Sequence, residues 1–502
     1  MSMVINTNTA SLVAQAAQAN TNKAMDTAME RLSTGQRINS ASDDAAGMSI
    51  STRLEANIRG LNMAMKNAAD GQSLIDTAEG AMDEQANILQ RMRELAVQSS
   101  NDTNSVADRM SIQDEVAQLR TELDRISSTT SWAGDKLLDG NFLSKNFQIG
   151  AKASENVSVS IGSTSSASLG VHRLDGTATA QLVTDAASDK TVTDFDVLGK
   201  DGAAEAAVSA GATAKAVAAA VNADSTSTGV TATAVTKARI SLDAVPSSTV
   251  TLNINGGGTK TSLSVSLVSN NDLTNLKDAI NAVAGTTQVT ATFDGTDKSK
   301  LILTEADGDD ILLENFSDTG TATNLSVEAG NYAGTSWATA VDAVSAATGA
   351  NDIVVNGVVR MESSQAFTVS DEESGSTNTT AATGYFGSGN DSGSSSLTAV
   401  SAVNVGTLSG AQSAIAVIDG ALARVNEIRS DLGAISNRLD HTISNLSNVV
   451  VNTEASQSRI QDADFAAETS NLTKSQILSQ AATAMLAQAN ASKQSVLSLL
   501  QG

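Results

Sequence analysis

Two stretches with the same seven-residue apolar period stand near opposite ends of this chain. One runs Leu54, Leu61, Ala68, Ile75, Met82, Leu89, Ala96 and the other Ile418, Val425, Leu432, Leu439, Leu446. A seven-residue repeat keeps an apolar seam on one side of a slightly supercoiled helix, and that seam demands a partner helix. Little between the two stretches shares the period, so the simplest arrangement packs the ends on each other and displays the middle as an insertion. Pro246 is the only proline among 502 residues and lies in that middle, which leaves long uninterrupted helices free to form at both ends.

The expected fold is therefore a mainly α terminal rod, made of long helices and coiled coil from both chain ends, with a small β-hairpin region. A β-rich α+β outer region is inserted into it. Aromatic residues make up 2% of the chain, so Leu, Ile, Val, Met and Ala must hold the rod. The absence of cysteine removes disulfides, thiol nucleophiles and cysteine metal sites. Formal charge is -24; residues 151–400 carry 28 acidic and 12 basic side chains, a balance of -16. Nucleic acid needs clustered cations and is not an expected partner. No run approaches the roughly 20 apolar residues of a membrane span, so no membrane insertion is expected. The start, Met1 to Asn8, lacks the basic-then-apolar pattern of a secretory signal peptide.

Along the chain, residues 1–40 carry a thin apolar stripe at Met25, Met29 and Leu32. Such a helix is marginal alone and needs a partner. Ser42 or Asp43 is expected to cap the next helix, over about 44–100. A short break at Asn101–Ser105 predicts an antiparallel second helix with Ile112, Val116, Leu119, Leu123 and Ile126 on one face. Alternation at Phe147–Gly150 and Val157–Ile161 predicts a hairpin. An internal repeat follows. Ala220-Val221-Asn222-Ala223 precedes Val230-Thr231-Ala232-Thr233, and Ala279-Ile280-Asn281-Ala282 precedes Val289-Thr290-Ala291-Thr292, both halves offset by 59 residues. Each unit reads as a short helix packed on strands. Helix resumes from about 409 to 452, and a final helix carries Leu478, Ala482, Met485, Ala489, Val496 and Leu499 on one stripe.

These segments resemble bacterial flagellin. The resemblance is carried by Val4-Ile5-Asn6-Thr7-Asn8, Glu30-Arg31-Leu32-Ser33-Thr34-Gly35, Arg37-Ile38-Asn39-Ser40-Ala41, Asp43-Asp44-Ala45-Ala46-Gly47 and Gln90–Gln98. At the other end it rests on Ile460–Ala466 and Val496–Leu500. It covers about 1–174 and 405–502, and the middle matches only through its repeats. The resemblance implies a self-polymerising filament subunit, secreted unfolded through the flagellum's own type III channel. The domain plan it implies is a terminal coiled coil (1–44 with 455–502), a helical rod core with the hairpin (45–174 with 405–454) and a variable outer region (175–404). Two similar modules are expected near 195–240 and 250–315. Implied partners are other copies of the chain, an export chaperone, the filament cap, junction proteins and host flagellin receptors. A hook–filament junction protein, or an outer region that acts as an adhesin, are the alternatives.

By the same resemblance Arg91, Leu95 and Glu115 are positions read by the cell-surface flagellin receptor, and Leu497, Leu499 and Leu500 by a cytosolic sensor. Met25, Met29, Leu32, Leu478, Met485, Val496, Leu497, Leu499 and Leu500 are the expected coiled-coil and polymerisation residues. No catalytic, cofactor or metal residue is expected. His172 and His441 are the only histidines, and no His-Glu-x-x-His motif occurs. Asp307-Gly308-Asp309-Asp310 lacks the ligand spacing of a calcium loop and reads as a solvated turn.

Overall fold

The computed structural model describes residues 7–183, 194–209, 211–242, 246–269, 271–319, 324–344, 352–371 and 393–500. In chain order the elements open with helices α1 (Thr9–Thr34), α2 (Ala45–Ser99) and α3 (Val106–Thr129). Strands β1 (Ser131–Trp132), β2 (Asp135–Lys136), β3 (Lys145–Gln148), β4 (Asn156–Val159), β5 (Gly170–Asp175), β6 (Ala180–Val183), β7 (Phe195–Leu198) and β8 (Ala203–Ala206) follow. Next come α4 (Ala214–Ala223), α5 (Ser225–Thr228), β9 (Thr231–Leu242), β10 (Pro246–Asn255), β11 (Thr261–Ser269), α6 (Thr274–Ala282), α7 (Ala284–Thr287), β12 (Val289–Asp294) and β13 (Asp297–Glu305). The remainder is β14 (Ile311–Asp318), β15 (Asn324–Ala329), β16 (Val341–Val344), β17 (Asp352–Val355), β18 (Val358–Ser363), β19 (Thr368–Asp371), β20 (Gly393–Ser394), β21 (Ser396–Ala399), α8 (Leu408–Gln461) and α9 (Phe465–Leu500). The chain divides into two compact units: 1–76 with 144–160 and 432–502, and 77–143 with 161–431.

Helix ends follow their capping chemistry. The Asn8 side chain accepts from the Ser11 N–H, and α1 stops at Gly35, which takes the left-handed φ of +74° and donates to the Arg31 carbonyl. The start of α2 corrects the expected cap. Asp44, not Ser42 or Asp43, accepts from the Gly47 N–H at 2.8 Å, while Asp43 accepts from Asn39 and Ser40 N–H and closes the preceding turn. A side chain at position 47 would run into Asp44 and Ile38, so Gly47 completes that cap. α3 opens with a capping box between Ser105 and Asp108. Helix α8 runs to Gln461 rather than to 452: its apolar period ends early, but Glu454, Ala455 and Gln457 sustain helix, and Gln461 is fixed by the Ser51 hydroxyl at 2.5 Å.

The heptad seam is buried over most of its length, Leu54 and Leu61 at its start being only partly buried. Ala68, Ile75, Met82, Leu89 and Ala96 of α2 are each fully buried, as are Ile418, Val425 and Leu439 of α8. Each larger side chain of that row removes enough apolar surface to favour folding by about 1.5–3 kcal/mol. In the first unit Gln72 donates to Asp440 at 2.8 Å and the β3–β4 hairpin sets Phe147 on Gly71 of α2. In the second unit α2 and α8 are antiparallel, with Arg93 on Asp419 at 2.6 Å and Arg429 on Asp83 at 3.1 Å. There α3 also folds back antiparallel on α2: Arg91 meets Glu115, and Gln85 donates to the Leu123 carbonyl. Arg109 caps the end of α2 through the Ser99 and Asn101 carbonyls.

The inserted strands belong to the second unit. One sheet has the order β12-β13-β9-β18-β5-β21, with β15 on β9 and β16 on β15; a second has the order β11-β10-β14-β17-β6, and a third β20-β19-β7-β8. β9 is the spine: its first half pairs with β18 and its second half with β13 and β15. Two apolar cores flank it, one around Leu252, Leu276, Ile280, Leu303 and Phe316, the other around Phe195, Val217, Val221 and Phe367.

The 59-residue repeat is a structural duplication. Asn222 takes both backbone groups of Ala232, accepting its N–H at 2.8 Å and donating to its carbonyl at 2.7 Å. Asn281 does the same to Ala291 at 2.8 and 2.9 Å. Each Asn latches a helix to the strand that follows, on the edge opposite its ladder partner (Met361 for Ala232, Leu303 for Ala291). The turn between helix and strand in each module reaches the left-handed region, at Gly229 (φ +69°) in the first and Gln288 (φ +65°) in the second.

Candidate functional site

In the first unit α1 and α9 pair along a regular seam. On α1 the side chains turned inward are Ser11, Ala14, Gln18, Thr21, Met25, Ala28 and Leu32; on α9 they are Glu468, Leu472, Ser475, Ser479, Ala482, Leu486 and Ala489. Both series step by three and four residues, the spacing of knobs-into-holes packing. Most of these side chains are small or polar, so hydrogen bonds do part of the fastening. Asn8 donates to the Ala489 carbonyl at 3.3 Å, Gln18 to the Ser479 hydroxyl at 2.8 Å, and the Thr483 hydroxyl to Gln18 at 3.3 Å. The motif segments at either end of this pair also meet. Gln36 and Asp462 form an isolated antiparallel bridge, Ala463 N–H donates to the Gly35 carbonyl, and Arg37 donates to the Ile460 carbonyl.

Met25 and Leu32 lie on this seam, each partly buried. Met29, Leu478 and Met485 do not: they are 54%, 47% and 65% exposed, and Met485 borders a groove shared with α1. The sequence offered two apolar rows on α9, and Leu472 and Leu486 were missed because the row through Leu478 and Met485 is equally apolar. The signal that separates them is polar: Ser475, Ser479 and Thr483 match Gln18 on α1. Leu12, Val13, Phe465 and Ile477 join the exposed set. Val13, Ala17, Met485 and Ala489 line one groove beside the seam, and Phe465, Ile477 and Leu478 another on α9. The side chains of Val496, Leu497, Leu499 and Leu500 lie outside the described residues.

In the second unit Arg91 and Glu115 are brought together. Arg91 donates to Glu115 at 2.9 and 3.1 Å and to Glu94 at 3.0 Å, and these hydrogen bonds, that to Glu94 foremost, hold its guanidinium pKa above the ordinary value. Leu95 is 1% exposed and faces the core, so the surface of this cluster is charged and its support apolar.

Among the described residues there is no group of three or more His, Asp or Glu side chains able to hold a metal ion, and no helix long and apolar enough to cross a membrane. The Asp307–Asp310 turn is more organised than a solvated loop. Glu305, 2% exposed, accepts from the Asp307 and Asp309 N–H groups, and Lys215 spans Asp307 and Asp309 at 3.3 and 2.8 Å. Burial raises the Glu305 pKa against the pull of those N–H groups. Lys215 already fills the position a cation would take.

Family comparisons coincide with these elements. The bacterial flagellin N-terminal helical region matches residues 5–142, the C-terminal helical region 415–500, and the flagellin hook IN motif matches twice, at 194–245 and 251–307. The two IN matches fall on the duplicated modules. B-type flagellin of Pseudomonas aeruginosa is 39% identical over 505 residues, with 100% of both chains covered. Flagellin B of Vibrio cholerae is 35% identical over 504 residues, again with 100% of both covered. A solved FliC from Burkholderia pseudomallei aligns with 73% of this chain and 99% of its own at 23% identity and a TM-score of 0.29. Matched at both helical ends, with relatives aligned along its whole length, the chain belongs to the bacterial flagellins, the extracellular structural subunits of the flagellar filament.

Proposed function

We propose that polymerisation proceeds through the outward faces of the α1–α9 pair, with the chain divided as 1–44 with 455–502 in the filament core, 45–174 with 405–454 as rod, and 175–404 displayed outside. The single observation that supports this is the row of large apolar side chains left in water. Leu12, Val13, Met29, Phe465, Ile477, Leu478 and Met485 are all exposed although the helices that carry them are paired. Several such side chains on one helix pair favour a further partner, and for a homopolymer that partner is another copy of the chain. Val496, Leu497, Leu499 and Leu500 continue the same helix and are assigned the same role.

In this reading the subunit travels unfolded through the export channel with a chaperone and meets junction and cap proteins at the ends of the polymer. The seam suits that sequence of events, since a seam of Ala, Ser, Thr and Gln opens at low cost. The Arg91–Glu115 pair over buried Leu95 is the surface read by host flagellin receptors, and Leu497, Leu499 and Leu500 are those read by the cytosolic sensor.

The test is Met485→Asp. Because Met485 is largely exposed in the monomer, the variant keeps its helical circular dichroism, while an unpaired carboxylate buried between subunits costs several kcal/mol. The variant should stay in the supernatant where the parent sediments as filament. Sedimentation equal to that of the parent would sink the assignment.

A further inference from the structure

The outward face of β9 carries Thr233, Val235, Lys237, Arg239 and Ser241, and the segment Gly330–Trp337 lies across it. The Gly330 N–H donates to the Lys237 carbonyl at 2.8 Å, and a Cβ built on Gly334 would stand 3.2 Å from Lys237 Nζ. Arg239 stacks on the Trp337 ring at 4.8 Å from its centroid, and Arg360 on Tyr332 at 3.8 Å. Both arginines have carboxylate partners: Arg360 takes Asp175 with two hydrogen bonds at 2.5 and 2.7 Å, and Arg239 takes Asp294 and Glu328. Lys237 has neither a carboxylate nor another polar side-chain partner among the described residues. Burial, and then the charge of Arg360, push its ammonium pKa below the ordinary value.

Two consequences meet at one atom. A half-buried lysine without a counter-ion spends more of its time as the free amine, which is the nucleophilic form. The nearby Arg360 charge, which disfavours an ammonium there, favours an anion. The 330–337 segment lies close over the amine, which favours a small electrophile such as CO2.

We propose that Lys237 is a site of reversible carboxylation by carbon dioxide, held between Arg239 and Arg360 under the 330–337 segment. The Nζ lone pair bonds to the carbon of CO2 and one C–O π pair moves onto oxygen. Nζ then releases a proton to solvent. Amine plus CO2 thus gives a carbamate anion plus H+, with nothing oxidised or reduced. The charge of the site changes from positive to negative on a region that is already acidic.

The experiment uses the full-length protein equilibrated with 13C-bicarbonate near neutral pH, trapped with a trialkyloxonium reagent and mapped by mass spectrometry. The trapped carbamate should be concentrated on Lys237. Lys215 and Lys260, about half exposed and ion-paired, are the internal references. The depressed pKa enlarges the free-amine fraction at Lys237, so its carbamate occupancy should exceed that of either reference lysine. Lys237→Arg and Lys237→Gln should both abolish the Lys237 signal, and Arg360→Lys, which keeps the charge, should preserve it, with folding checked by circular dichroism. Even labelling across lysines would overturn the proposal. So would an unlabelled Lys237 that is nevertheless acylated preferentially by acetic anhydride, since the amine would then be free and reachable yet form no carbamate.

Discussion

At the scale of single residues, the duplicated modules provide an internal control. Gly229 and Gln288 occupy the same left-handed position in the two copies. A side chain there costs about 1–2 kcal/mol in backbone strain, while glycine loses about 0.4–1 kcal/mol through the freedom of the unfolded chain. Gln288→Gly should therefore leave stability unchanged or raise it by about 1 kcal/mol. Gly229→Gln should lower it by more, because its Cβ would also stand 2.7 Å from Asp201. Paired urea titrations measure both. Glu427 invites a second substitution. Burial alone would raise its pKa, but donors from Lys200, Arg424 and Gln365 converge on it, and its pKa lies below the ordinary value of 4.5. A carboxylate with a depressed folded pKa stabilises above its unfolded value, and that contribution is lost as pH falls through the folded one. Glu427→Gln should thus melt lower than the parent at neutral pH, with the gap closing well below pH 4.5. A constant gap would mean that the ion pairs contribute nothing.

At the scale of elements, legibility tracked how one-sided each apolar pattern is. The apolar residues of α2 and α8 gather largely on one face around the seven-residue rows, and Ala68, Met82, Leu89, Ile418 and Leu439 are buried as the sequence predicts. Helix α9 has apolar residues nearly all round, so periodicity alone could not say which row meets α1. Polar complementarity between Gln18 and Ser479 settles it. The cap at Asp44 was missed by one residue because three candidate capping residues stand in a row and only the hydrogen bond to Gly47 distinguishes them. The corrected register predicts a contrast. Leu486→Asp places its charge inside the α1–α9 seam and should reduce helical circular dichroism in the monomer as well as block polymerisation. Met485→Asp, one residue away and largely exposed in the monomer, should do only the second.

At the scale of the whole molecule, the sequence located the insertion and its duplication but not its wiring. That β9 joins both modules depends on pairings with β13, β15 and β18, strands up to 131 residues distant at the Thr231–Glu362 contact, and no local pattern encodes such a register. The Lys237 cluster was invisible for the same reason: Asp175, Lys237, Tyr332 and Arg360 come from four separate segments. Because the heptad seams lie outside residues 175–404, replacing that region with a short linker should leave a chain that still sediments as filament. Loss of all polymerisation would locate an essential contact in the outer region.

The polar character of the α1–α9 seam has a thermal consequence. Heat-capacity change follows the apolar area that leaves water. Separating Ser, Thr, Gln and Ala exposes little of it, so the helix pair should open with a small heat-capacity change and a shallow dependence on temperature. The exposed leucines, valine and methionines enter an apolar setting only when copies meet, so the heat-capacity signature belongs to assembly. Association of that kind is driven by entropy near room temperature and strengthens on warming. Filament growth followed calorimetrically should therefore show a negative heat-capacity change and a critical concentration that falls as the solution warms.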